Sequence, residues 1–384
     1  MRWPLSTSNF TFIDRLKICS FFLNPKKIWT MGGEVKQIEE KMADYAGCKY
    51  SVFTSSGSAA NTLIAMMLRD TGKKDKNEMI FPSTTWATSV SPFIREGFIP
   101  KFLDISLKDL SMDLDLLENY LSERSRKVKC VFITSLIGFT PDIKRIQDIS
   151  QKYNVRIMFD NCENHLGKFQ GKNVNSFFTS TTSTYFGHLI QSVEGGFIFT
   201  NRDHEYDYFL MARNHGMTRS IRTPNKYQNR DVDPLFDFYL KGNNFRNTNI
   251  NAFICSLDFA RESHYIKDKN IKYKMFKELT SEHLIFPEPS NDTVDVPFCL
   301  PIIMKPTKAK KIKALKQHCS HHSIEFRPLI SGNLLKQTAF TEYDDGENFK
   351  NSTYLHHNSF YIGLPNKLKK RQIKKFCKAL NTLL

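Results

Sequence analysis

The chain has 384 residues, 40% of them hydrophobic and 32 of them phenylalanine, which excludes a disordered polymer and predicts two domains or one large one with an appendage. A formal charge of +16 suits nucleic acid, an anionic surface or anionic small ligands. Much of that excess lies at 305–316 and 367–375, without the interleaved aromatics of a single-strand binder, so nucleic acid is not the expected partner.

No apolar run is long enough to span a bilayer, and Arg2-Trp3-Pro4 followed by polar residues is a poor signal-peptide start. A soluble cytoplasmic protein with no membrane partner is expected. The eight cysteines are scattered without a CxxC or CxC pair, and most read as small core residues. His321-His322 and His356-His357 are adjacent pairs that do not share one face of a helix or strand, so no metal site is expected.

The first thirty residues read as an irregular or short-helical lead-in. From Glu34, apolar Val35, Ile38, Met42 and Tyr45 recur at helical spacing up to Gly47, a helix with a glycine stop. A strand at 50–54 then runs into Ser55-Ser56-Gly57-Ser58-Ala59-Ala60-Asn61 and an apolar helix to Met67. Strand, small-residue turn and helix N-terminus together offer backbone N–H groups and the positive end of a helix dipole, a cradle for an anion such as phosphate.

Further on, strands at 79–82, 100–104, 128–135 and 155–160 alternate with helices from about 83, near 114–121 and near 143–152. That alternation predicts an α/β fold with a mainly parallel sheet. Asp160 ends the last of these strands, the edge where open α/β sheets collect ligands. The segment 180–200 reads as a strand, a turn centred on His188, and a second strand entered through Glu194-Gly195-Gly196. After about Asn251 the chain becomes lysine-rich, with an apolar strand at 298–304. A large domain over 1–250 and a small C-terminal domain over 251–384 are therefore expected.

Ser183, position 188 and Glu194-Gly195-Gly196 stand at intervals of five and six residues. This resembles the cofactor-anchoring segment of the sugar aminotransferases, the DegT/DnrJ/EryC1/StrS family of pyridoxal-phosphate enzymes that place amino groups on nucleotide-linked sugars. In that family a lysine stands where this chain has His188. A lysine amine forms a Schiff base with the cofactor, whereas an imidazole holds it only non-covalently and serves as a general acid/base.

The resemblance implies the fold type I aminotransferase architecture, with a large α/β domain and a smaller α+β domain. It also implies the family branch that removes the C3 hydroxyl of a 4-keto-6-deoxy nucleotide sugar, GDP-4-keto-6-deoxymannose or a close analogue. Pyridoxal and pyridoxamine 5'-phosphate would be the cofactors and L-glutamate the amino donor. Gly57, Ser58 and Ser183 would bind the cofactor phosphate, Trp86 would stack on its ring, and Asp160 would pair with the pyridine nitrogen, with Glu163 in the same acidic motif.

Gly242-Asn243-Asn244-Phe245-Arg246 resembles the motif with which a second subunit completes the site, so a homodimer with a shared active site is implied. Asn249 stands where the family has an acidic residue, a departure that weakens transfer of substrate detail. Asn244 would reach the cofactor phosphate from across the interface, with Arg246 close by on the substrate. His215 and Arg219, in Arg213-Asn214-His215-Gly216-Met217-Thr218-Arg219, would face the sugar diphosphate, and Arg327 would help bind substrate or glutamate. A related CDP-sugar dehydratase holds an iron–sulfur cluster on clustered cysteines; with only Cys255 in the corresponding part, none is expected here. A 4-aminotransferase and an inactive binder of nucleotide sugars or nucleic acid are the alternatives.

Overall fold

The helix expected from Glu34 forms at Gly33–Ala46, with Val35, Ile38 and Met42 buried, and stops at Gly47. Gly47 adopts φ 68° and returns its N–H to the carbonyls of Ala43 and Asp44, a left-handed cap that glycine accepts without strain. The computed structural model describes residues 2–72, 75–221, 224–227, 231–288 and 290–384. The lead-in contains a regular helix, Phe12–Leu23, nucleated by a reciprocal cap between Thr11 and Asp14.

Seven strands form the main sheet in the order Tyr50–Thr54, Gly196–Thr200, Ser180–Ser183, Ile157–Asp160, Val128–Thr134, Glu78–Pro82 and Ile99–Leu103. Gly196–Thr200 runs antiparallel to both neighbours. The remaining pairs are parallel. Both faces are covered, as a parallel sheet requires. Phe132, Met158 and Ile198 pack on one side with the helices Gly57–Asp70 and Asp203–Arg213. Their chain neighbours go to the other side: Val131, Ile133, Ile157 and Phe159 join helices Leu114–Arg124 and Ile143–Tyr153, while Phe197 and Phe199 join Gly33–Ala46 and Asn249–Phe259. This two-residue alternation is the pleat expressed as layers.

The expected helix from about 83 does not form there. Ser83 prolongs the sheet ladder, its N–H bonding Leu103 O at 2.8 Å, and the Thr85 and Thr134 hydroxyls bond at 2.7 Å. These contacts hold 83–85 in a bend that leaves the end of the strand without entering a helix, and only a 3₁₀ turn at Ala87–Ser89 and a short helix at Ser91–Arg95 follow.

In the C-terminal part, Cys299–Ile303, Ser359–Gly363 and Phe326–Arg327 make an antiparallel three-stranded sheet. Helices Glu262–Thr280, Ile312–His321 and Lys370–Leu383 contribute Phe276, Leu315, Phe376 and Leu380 to its core. Trp3 joins the same core, stacked edge-on to Phe376, with Nε1 donating to Gly363 O at 2.8 Å. Among the described residues, no helix is long and apolar enough to cross a membrane.

Candidate active site

At the carboxyl ends of the parallel strands lies a cavity of about 410 Å³. An open α/β sheet presents its ligand crevice on this edge. Gly57, Ser58, Trp86, Asp160, Glu163, Ser183 and His188 all line it, so most of the sequence candidates meet in one place.

The Gly57–Asp70 helix starts against this cavity with Ser56 as its cap, Oγ accepting from Ala59 N at 3.0 Å. Ser58 Oγ donates to Thr88 Oγ1 at 2.9 Å. Gly57 is pressed between two other lining residues: a Cβ there would lie 2.8 Å from Cys162 Sγ and 3.0 Å from Ser183 Cβ. Any larger residue would push the phosphate-type cradle away from the Ser183 strand.

Asp160 is buried, and its carboxylate is held from three directions. Oδ2 accepts from Asn61 Nδ2 at 2.9 Å and from Ser89 Oγ at 2.6 Å, and Oδ1 accepts from Cys162 N at 3.0 Å. Asn61 is itself oriented by Thr181 Oγ1, which donates to its Oδ1 at 2.6 Å. Such a net aims an acceptor without leaving it free to rotate. Glu163 accepts from Ile137 N at 2.7 Å, and burial pushes its carboxyl up to about 8, with the Asp160 charge adding to the effect. Near neutral pH it is therefore a protonated group able to donate.

His188 sits in a turn clamped at its base. Thr184 N donates to Gly195 O at 2.9 Å, Ser192 N to Thr184 O at 2.8 Å, and His188 N to Tyr185 O at 2.9 Å. Tyr185 and Phe298 place their rings edge-on to the imidazole at 6.2 and 5.9 Å. Burial pushes the imidazole down to about 4, and Asp160 opposes part of that shift. Neutral imidazole is the form that takes up a proton.

The other candidates lie elsewhere on the chain. Asn244 and Arg246 do not line the cavity; Arg246 Nε donates to Asn244 Oδ1 at 2.9 Å on the segment bridged to Thr54 and Asn214. Arg219 is exposed and lies over the Phe236 ring at 5.3 Å, while His215 is half-buried at φ 62°. Arg213 is buried and paired with Glu39, a structural role rather than a ligand-facing one. Arg327 is exposed on the edge strand beside Tyr361, which does line the cavity.

Asn61, Ser89, Phe298 and Tyr361 were not among the sequence candidates, yet they shape the cavity. Asn61 carries a faint local signal, a polar residue in an otherwise apolar helix face that follows the small-residue turn. Phe298 and Tyr361 come from the C-terminal part and have none.

A flat aromatic phosphate fits what is present: an exposed Trp86 face, a glycine-lined helix N-terminus, and a buried carboxylate opposite. A model of the DegT/DnrJ/EryC1/StrS aminotransferase family matches residues 21–381. The GDP-4-keto-6-deoxy-D-mannose 3-dehydratase of Yersinia pseudotuberculosis is 31% identical over 351 residues, covering 88% of each chain. A solved structure of the E. coli GDP-4-keto-6-deoxy-D-mannose-3-dehydratase with bound hydrated PLP superposes with a TM-score of 0.91 at 27% identity, covering 99% of both chains. Another of that dehydratase, with a trapped PLP-glutamate geminal diamine, gives 0.91 at 26% identity, over 99% of this chain and 100% of the other. The match runs through the main sheet and the C-terminal part alike, and the chain belongs to the DegT/DnrJ/EryC1/StrS aminotransferase family.

Proposed function

We propose that this protein is a nucleotide-sugar 3-dehydratase that holds pyridoxal or pyridoxamine phosphate without a covalent bond. It removes the C3 hydroxyl of a 4-keto-6-deoxy sugar carried on GDP, and L-glutamate restores the amine form. The observation that carries this reading is His188, a half-buried imidazole with no lysine among the residues that line the large cavity. Relatives whose names specify this reaction, and a neighbour holding PLP with glutamate, support the substrate class and the amino donor.

When bound, the cofactor supplies an electron sink for the sugar carbons. Gly57, Ser58 and Ser183 would hold its phosphate, Trp86 its ring face, and Asp160 its ring nitrogen. Glu163, protonated, would donate a hydrogen bond from the other side. His188 Nε2 accepts one proton and returns it to the departing C3 oxygen. Because an imidazole does not displace the sugar as a lysine amine would, water loss outruns simple amination.

Product mass after incubation with glutamate and a panel of GDP-, CDP- and UDP-linked 4-keto-6-deoxy sugars tests the reading. A 3-deoxy sugar is expected from the GDP substrate. A 4-amino sugar with its C3 hydroxyl intact would identify an aminotransferase instead.

The kcat/KM profile should stay level through pH 6.5 and fall only toward about 4, the value to which burial depresses His188. A midpoint near 6.5 would contradict the buried setting. The same shift has a stability counterpart. Between those values the unfolded chain binds the proton and the folded chain does not, so stability drops as pH falls through this window.

A second copy of the chain is proposed to complete the site with Asn244 and Arg246. Phe236 and Phe238, just upstream, are 61% and 56% exposed and give an apolar surface for it. Mixing His188→Asn with Asn244→Ala protein should restore part of the activity, because one hybrid site carries neither change. Verified subunit exchange without recovery counts against the shared site.

A further inference from the structure

His188 also lines a second, small cavity of about 20 Å³, together with Thr7, Gln191, Lys269 and Asn366. That volume accommodates a single water. Three polar atoms of its lining residues are buried without a hydrogen-bond partner: His188 Nδ1, Thr7 Oγ1 and Asn366 Oδ1. The amide groups of Gln191 and Asn366 that donate nearby are already engaged. Gln191 Nε2 donates to Thr7 O at 3.1 Å and Phe186 O at 2.7 Å, and Asn366 Nδ2 donates to Asn9 Oδ1 at 2.8 Å. Lys269, buried on the helix Glu262–Thr280, donates one N–H to Leu364 O and keeps others.

We propose that one water in this cavity couples Lys269 to His188 and makes Lys269 the positioning residue for the base. The water accepts from His188 Nδ1–H and from Lys269 Nζ, and donates to Asn366 Oδ1 and Thr7 Oγ1. All four of its hydrogen bonds are thereby used, and each unpartnered atom gains a partner. The imidazole is held as its Nδ1–H tautomer, which leaves Nε2 as the proton acceptor in the large cavity.

Two further observations agree with this arrangement. Burial, with Lys272 adding, pushes the Lys269 amine down to about 7, and even the neutral amine has a second N–H for the water after Leu364 is served. His165 is the other imidazole near His188, but both its nitrogens are themselves without partners, so no hydrogen bond joins the two rings. The inference rests on the reading of His188 as the base.

The test is a double-mutant cycle on the holoenzyme. Lys269→Met, an apolar chain of similar length, is expected to lower kcat by about 10–100-fold, the range found when the partner that orients a metal-bound histidine is lost. KM should stay within about twofold, and in the His188→Asn background the further loss should be under about twofold. A loss of the same size in both backgrounds marks a merely structural lysine and overturns the proposal, as does parent-like kcat in Lys269→Met.

If Lys269→Met does not fold, Thr7→Val carries the same test, since it removes only the unpartnered Oγ1. A fall in kcat of about threefold or more that vanishes in the His188→Asn background supports the water; parent-like kcat overturns it. His188→Asn turning over at the parent rate would instead bring down the base assignment itself, and the coupling with it.

Discussion

His188→Asn is expected to bind the cofactor at parent stoichiometry and to eliminate the C3 hydroxyl about 10²–10⁴-fold more slowly, the usual worth of a positioned acid/base. The amide has a similar reach and remains polar, so the turn held by Thr184 and Ser192 should keep its shape. What it lacks is a nitrogen that takes a proton and gives it back. Single-turnover product formation, with bound cofactor measured by absorbance, separates the two effects. Elimination at the parent rate would remove His188 from the chemistry.

His188→Lys should change the outcome as well as the rate. Its amine can attach the cofactor covalently, so protein mass after borohydride reduction should show an adduct that the parent lacks. The rings of Tyr185 and Phe298 flank this position edge-on at 6.2 and 5.9 Å and crowd a longer, flexible amine chain. Amination by this variant should therefore be weak.

The second large effect is expected at Asp160. Asp160→Asn should lower turnover by about 10²–10³-fold, the range seen when one preorganised electrostatic partner is lost. It should also weaken cofactor binding. Asn61 Nδ2, Ser89 Oγ and Cys162 N all donate to this carboxylate, and an amide must turn its own NH₂ toward one of them. A buried donor left without an acceptor costs about 1–3 kcal/mol, so a lower Tm should accompany the loss of turnover. Cofactor titration and thermal melts of the same preparation measure both. Turnover within a few-fold of the parent would show that ring-nitrogen pairing is not what Asp160 provides.

Much of this site is legible in the chain because its key signals are local. The small-residue turn at Ser55–Asn61, the strand-ending Asp160 and the spacing of Ser183, His188 and Glu194 each lie within one strand–turn unit, where a few neighbouring residues dictate both conformation and chemistry. Gly47 likewise ended its helix where its own backbone freedom predicts. The helix expected from about 83 failed because its competitor was distant: Leu103 O and the Thr134 hydroxyl hold the segment in a bend at the end of its strand.

The rest was decided by tertiary structure. Asn61 and Ser89 reach Asp160 across 99 and 71 residues of sequence, so the net that aims the carboxylate exists only once the sheet has formed. Phe298 and Tyr361 arrive from the C-terminal sheet to close the cavity over His188. The sequence by itself determined that an imidazole stands where a lysine amine is usual, and with it the kind of chemistry available. How that imidazole titrates was decided by the fold, because desolvation depends on everything packed around the ring, and no residue carries that property alone.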